Sequence, residues 1–252
     1  FGFTYLQAKD KATRMKKILF VLSAAIMAMT VGNFANSQTY TATADPQKIA
    51  AGTTMAKAFH DSAHVYAAAG LYHEAAAFEC KALDCYERIG MYNSDYASIM
   101  NDLALYLYFT GNLTEAFEIG EQATIMLGET AKENPVDYLM SLSNMIIYNY
   151  ALGNFHDVIN IGENSLDAIK AVLGENDESY ANLLTFISQS YFITGDIGKA
   201  SSASAEAVGI FRTNGVTNTD NYASALIIHA QCDINNGNYD NARILANEVV
   251  KI

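Results

Sequence analysis

The chain has 252 residues, is 51% hydrophobic with no tryptophan and two prolines, and carries a net charge of −12. Residues 1–37 hold five Lys/Arg and one Asp, so the remainder keeps ten basic and 26 acidic side chains, a net −16. An acidic body without a basic cluster repels phosphate backbones and anionic bilayers, which argues against nucleic-acid partners and against membrane insertion of the mature chain.

The first segment reads as an address. Residues 1–14 precede Met15 and are set aside as upstream, non-native sequence. Met15-Lys16-Lys17 form a basic start, residues 18–29 an apolar run too short to span a bilayer, and Ala35-Asn36-Ser37 places small residues where a signal peptidase reads. The expectation is a signal peptide over 15–37, cleavage between Ser37 and Gln38, export to the periplasm or medium, and a linker over 38–53. Export permits disulfides, but the only cysteines are Cys80, Cys85 and Cys232. Cys80 and Cys85, five apart on one helix, point roughly 140° apart and do not bridge.

From there the chain repeats itself. Tyr96, Tyr138, Tyr180 and Tyr222 stand 42 residues apart, and so do Gly111, Gly153, Gly195 and Gly237. Five residues after each glycine comes Ala116, Val158, Ala200 or Ala242. Two independent fixed-step series define a repeat protein. A fifth copy precedes the four: Gly70-Leu71-Tyr72-His73-Glu74-Ala75 matches Gly237-Asn238-Tyr239-Asp240-Asn241-Ala242, with a step of 41 to the next copy. The units run over about 54–94, 95–136, 137–178, 179–220 and 221–252.

Each unit reads as two helices. Asp95, Asp137, Ser179 and Asn221, just before the tyrosines, are residue types that cap a helix start. In the second unit Met100, Leu103, Ala104 and Leu107 form one apolar stripe, Gly111-Asn112 stops the helix, and a second helix runs from about Thr114 to Met126. Later units repeat the stripe with Leu142, Met145 and Ile146, then with Leu184, Ile187 and Tyr191. Neither helix buries its stripe alone, so each leans on its neighbours in sequence. Gly120, Gly162, Ser204 and Ala246 recur 42 apart inside the second helices. A small residue kept there predicts that the next unit's first helix crosses at that point.

This pattern resembles the tetratricopeptide repeat, and its 42-residue step resembles the kinesin-light-chain subtype: Tyr180-Ala181-Asn182-Leu183-Leu184, Tyr191 to Gly195 and Leu173-Gly174 follow it. Asn149 and Asp233 depart from it where Tyr66 and Tyr191 stand in other units. The resemblance covers residues 54–252 and implies an all-α fold, a right-handed αα-superhelix of about five helix-turn-helix units with the first helices on the concave side. The stripe 10, 6 and 3 residues before each turn glycine is then the expected partner groove: Asn101, Leu105 and Tyr108; Ser143, Ile147 and Tyr150; Thr185, Gln189 and Phe192; Ile227, Gln231 and Ile234. His60, His64 and Ala67 begin it. The lining is nearly uncharged, so the lysine and arginine clamp of chaperone-tail-binding members is not carried over. In-line aromatics suit an extended peptide.

Signatures of chemistry are sparse. His60 and His64, at i and i+4, share a helical face and could bind zinc, but Asp61 stands where a metalloprotease has Glu and no third ligand is fixed by spacing. The pair reads as polar groove lining, and no metal or cofactor is assigned. His73 lies beyond the turn, and His156 and His229 are isolated. No nucleophile elbow, phosphate loop or dinucleotide fingerprint occurs, so catalysis is not expected. The expected function is a non-catalytic protein–protein interaction scaffold binding a peptide or partner protein, of open oligomeric state. One alternative is the sensing arm of a longer protein with a caspase-like (CHAT) protease or signalling module, since residue 252 follows the fifth unit's second helix without a polar cap. Another is capture of surface glycans.

Overall fold

The computed structural model describes residues 45–252; the expectations for 1–37 and for the 38–44 part of the linker lie outside the described residues. Among the described residues ten helices follow one another: α1 (Pro46–Ala68), α2 (Tyr72–Arg88), α3 (Ser94–Phe109), α4 (Leu113–Glu129), α5 (Pro135–Leu152), α6 (Phe155–Leu173), α7 (Glu178–Thr194), α8 (Ile197–Thr213), α9 (Asp220–Asn235) and α10 (Tyr239–Val249). Odd-numbered helices are the first of each unit and even-numbered ones the second. The described residues contain no strand, as the repeat reading requires.

The hairpin corners are equivalent. Gly70, Gly111, Gly153, Gly195 and Gly237 all take φ between 72° and 94°, a left-handed conformation that is cheap only for glycine. At each corner the glycine N–H donates to the carbonyl three residues back, from Gly70 to Ala67 (2.9 Å) through to Gly237 to Ile234 (3.1 Å). The next N–H donates five back, from Leu71 to Tyr66 (2.9 Å) through to Asn238 to Asp233 (2.8 Å). These bonds satisfy the carbonyls that a helix end leaves open.

The small-residue series marks helix crossings, as its spacing predicts. Ala75, Ala116, Val158, Ala200 and Ala242 are all buried. A Cβ built on Gly120 would lie 2.7 Å from the Tyr148 ring and 3.4 Å from the Met145 sulfur; one on Gly162 would lie 2.9 Å from Cδ1 of Ile187. Ser204 sits 3.3 Å from Nδ1 of His229. Met145, Ile187 and His229 are themselves 42 apart, so one contact is rebuilt at every step. The core runs across units: one cluster joins Ile146 on α5, Val158 on α6, Ile187 on α7, Ala200 on α8 and Ile228 on α9.

Two expectations about helix starts need correction. The caps are Asn93, Asp177 and Thr219, each accepting from the N–H of Tyr96, Tyr180 or Tyr222. The helices therefore begin before Asp95, Ser179 and Asn221, because a cap side chain reaches forward to the third helical N–H and that N–H belongs to the tyrosine. The third unit opens at Pro135, at the first helical position, with Asp137 likewise inside the first turn. Asp137 accepts instead from Ser98 of the preceding unit (3.0 Å). The second correction concerns the linker: residues 46–53 are the opening turns of α1. Pro46 pre-sets the first helical φ. Gly52 lets this end lie against Ile89, whose Cγ2 would be 2.7 Å from a Cβ there.

The tyrosine series seals the outer ends of these seams. Tyr180 donates to Glu206 (3.4 Å), which pairs with Lys170 (2.8 Å). One step later Tyr222 donates to Glu248, which pairs with Arg212 (2.6 Å). Burial, and then the neighbouring Glu206 charge, push the Tyr180 hydroxyl up to about 12.

Candidate functional site

Consecutive first helices approach one another, α3 to α5, α5 to α7 and α7 to α9, so their shared face is the inner side of the stack. On α3, α5 and α7 the row ten residues before the turn glycine is not open there, whereas Ile227, its member on α9, is exposed. Asn101, Ser143 and Thr185 are only 8%, 6% and 3% exposed. The cause is the close approach of neighbouring first helices. Asn144 on α5 donates to Asn101 on α3 (3.1 Å), while the Ser143 and Thr185 hydroxyls turn back onto their own helices at Leu139 and Ala181. These three residues, expected in the groove, are seam residues.

The rows six and three before the glycine stay accessible. Leu105, Ile147 and Gln189 are half-buried, as are Tyr108, Tyr150 and Phe192, while Gln231 and Ile234 on α9 are exposed. The aromatics are partly held by their own neighbours: the Tyr108 ring lies 5.7 Å from that of Tyr148, and the Tyr150 ring 4.8 Å from that of Phe186. Phe109 and Ile193, one position further along, are exposed and extend the apolar surface toward the corners. Their row lies just outside the 10-6-3 stripe, so the stripe alone does not find them. The departures Asn149 and Asp233 are buried and serve the corners, Asn154 donating to Asn149 (3.2 Å) and Asn238 to Asp233 (3.3 Å).

At the N-terminal end of the groove the histidine pair acquires partners from other helices. His60 and His64 on α1 bring their Nε2 atoms within 3.1 Å. His60 Nδ1 lies 3.0 and 3.1 Å from the two oxygens of Glu79 on α2, a carboxylate with no exposed surface. His64 Nε2 lies 3.3 Å from Oδ2 of Asp102 on α3. The four residues can place one ligand atom each within 4.8 Å of one another. Burial drives the Glu79 carboxyl up to about 7 against the opposing hydrogen bond from His60, and that same bond raises His60. Burial also raises Asp102. The third and fourth members were missed in the sequence because they belong to other helices. The signal was present, however: Glu79 is the ninth residue after its turn glycine, where the other units carry Gly120, Gly162, Ser204 and Ala246.

Paired helices, glycine corners and in-phase small contacts make this an αα-solenoid of the tetratricopeptide type, and the tetratricopeptide repeat family model matches residues 97–133, spanning most of α3 and all of α4. The chain is a tetratricopeptide-like repeat protein, and solved structures similar to it include kinesin-light-chain repeats. One is the Podosopora anserina kinesin light chain with nearly identical TPR-like repeats: 18% identity, 79% of this chain and 95% of that one, TM-score 0.60. Another is BtubC (BKLC) from P. vanneervenii, at 15% identity over 81% of this chain and 89% of that one, TM-score 0.61. A third is MamA from Desulfovibrio magneticus RS-1, at 13% identity over 78% and 94%, TM-score 0.55. No curated protein sequence matches the chain. At these identities the likeness establishes the fold alone. Among the described residues no helix is long and apolar enough to cross a membrane.

Proposed function

We propose that the chain is a non-catalytic scaffold that holds an extended peptide or a segment of a partner protein along the inner face of α3, α5, α7 and α9. The observation that carries this reading is the accessible, uncharged double row Leu105/Tyr108, Ile147/Tyr150, Gln189/Phe192 and Gln231/Ile234, set side by side on consecutive first helices. Aromatic anchors at regular steps suit a chain lying across the helices, and the Gln189 and Gln231 amides can bond its backbone. Asn101, Ser143 and Thr185 support the seams and do not touch the partner.

The test is a peptide-library selection on the purified chain, followed by titration of the selected peptide against Tyr150→Ala/Phe192→Ala. Each ring is half-buried, so the double variant stays helical and binding falls by at least about 100-fold, two anchors of about 1.4 kcal/mol or more each. Unchanged affinity would remove the groove from the account.

The basic, apolar and small-residue order of 15–37 supports export, with a mature chain beginning at Gln38. N-terminal sequencing of protein recovered from the periplasm or medium is expected to start there; an intact Met15 in the cytosol overturns it.

A further inference from the structure

We propose that His60, His64 and Asp102 bind a divalent transition-metal ion of the zinc class through Nε2, Nε2 and Oδ2, with Glu79 fixing His60 through Nδ1. A tetrahedral zinc ion with bonds of 2.0–2.1 Å spaces its ligand atoms about 3.3 Å apart. The two Nε2 atoms are separated by 3.1 Å, and His64 Nε2 and Asp102 Oδ2 by 3.3 Å. The imidazole rings meet at 81° with centroids 4.4 Å apart, edge-on rather than stacked. Glu79 completes a carboxylate–histidine pair on the far side of His60, the outer contact that fixes tautomer and ring orientation in metal-binding histidines.

Proton bookkeeping favours a cation as well. Nε2 of His64 faces both His60 Nε2 and the Asp102 carboxylate, an arrangement that no one imidazole tautomer serves fully, whereas a metal ion takes all three lone pairs at once. Neither Glu79 nor Asp102 is paired with lysine or arginine among the ion pairs of the described residues. In those ion pairs the two carboxylates are met only by the two histidines, and a bound cation would add to that.

The repeat supplies an internal control. The positions of His60, His64, Glu79 and Asp102 are filled in the second unit and its seam by Asn101, Leu105, Gly120 and Asn144, and in the third by Ser143, Ile147, Gly162 and Phe186. Four changes from small, amide or apolar residues to ligating ones coincide at one point in space and at no other seam. The ligands come from α1 and α3 and the support from α2, so the ion would fasten the first unit to the second. His64 is exposed, which leaves the fourth coordination position open toward the groove.

The purified full chain, stripped with chelator, is titrated with cobalt(II) and then with zinc. One cobalt per chain with the intense visible bands of four-coordinate nitrogen–oxygen ligation, displaced by one zinc, is the expected result. Exposed His64 can be replaced without a folding defect: His64→Ala lowers affinity at least about 100-fold, Asp102→Asn at least about 10-fold, and Glu79→Gln about 10- to 100-fold with the bands retained. His73→Ala, outside the cluster, changes nothing. Circular dichroism verifies that each variant keeps its helix content. Absence of saturable one-to-one binding by the unaltered chain overturns the site, and so does a His64→Ala affinity within about threefold of it.

Discussion

Replacing Gly120 by alanine is expected to destabilise the stack by up to about 2 kcal/mol, although alanine is the better helix former. Inside a helix, Gly→Ala by itself contributes about 1 kcal/mol of stability. At Gly120 the new Cβ meets Cε2 of Tyr148 at 2.7 Å. Tyr148 is buried and its ring cannot shorten, so α5 must move off α4, and overpacking of this kind costs about 1–3 kcal/mol. Gly162→Ala is expected to be near neutral: its Cβ meets the flexible Cδ1 end of Ile187 at 2.9 Å and Cγ1 at 3.3 Å, and that aliphatic chain can turn where a ring cannot. Gly209→Ala, also inside a helix but with nothing within 4 Å of the added carbon, should stabilise by the full helical preference. Urea unfolding of the three variants gives an order that neither propensity nor burial alone produces. Equal effects at all three sites would mean that the small residues do not mark the crossings.

Tyr222→Ala is expected to cost about 3–5 kcal/mol, the range for removing a fully buried aromatic. Its ring has no exposed surface and meets the ring of Phe211 at 5.9 Å and 72°. Its hydroxyl donates to Glu248 and accepts from Nε of Arg212 at 2.9 Å. Tyr222→Phe keeps the packing and loses only the hydroxyl. Arg212 and Glu248 remain paired with each other and are partly solvated, so that change costs about 1–2 kcal/mol. Hydrogen exchange localises the effect: in a solenoid each unit contacts its neighbours, so protection should fall first in α9 and α10, with α3 and α4 little affected. Uniform loss along the chain would contradict nearest-neighbour coupling.

Much of the architecture was legible in the sequence because its determinants are local and recur. A glycine corner needs one residue with positive φ, and Gly111, Gly153, Gly195 and Gly237 declare themselves by spacing. The crossing at Gly120 was legible for the same reason: a missing side chain every 42 residues has to face something. What escaped depends on distances between helices. Asn101, Ser143 and Thr185 lie on the inward stripe of their own helices, yet their burial is set by how closely the next first helix approaches. Asp95 looks like a cap, but Asn93 stands where its oxygen reaches the Tyr96 N–H, and Asp95 takes the hydroxyl of Tyr86 instead. His60 and His64 were visible as a pair; Asp102 and Glu79 join them only once α1, α2 and α3 are assembled. Glu79 alone was exposed to discovery, as a carboxylate standing in a glycine's place.

The cross-ties between second helices are unevenly shared along the chain. Lys170 to Glu206 and Lys199 to Glu163 join α6 to α8, and Arg212 to Glu248 joins α8 to α10, each pair 36 residues apart in sequence. One step earlier the places of Lys170 and Glu206 fall to Gly128 and Asn164, and no ion pair among the described residues joins α4 to α6. Under tension or on accommodating a bulky guest, the molecule is therefore a spring of unequal stiffness. Its pitch is tied toward residue 252 and without such ties between α4 and α6, where a Cβ on Gly128 would lie 3.3 Å from Cε2 of Tyr138.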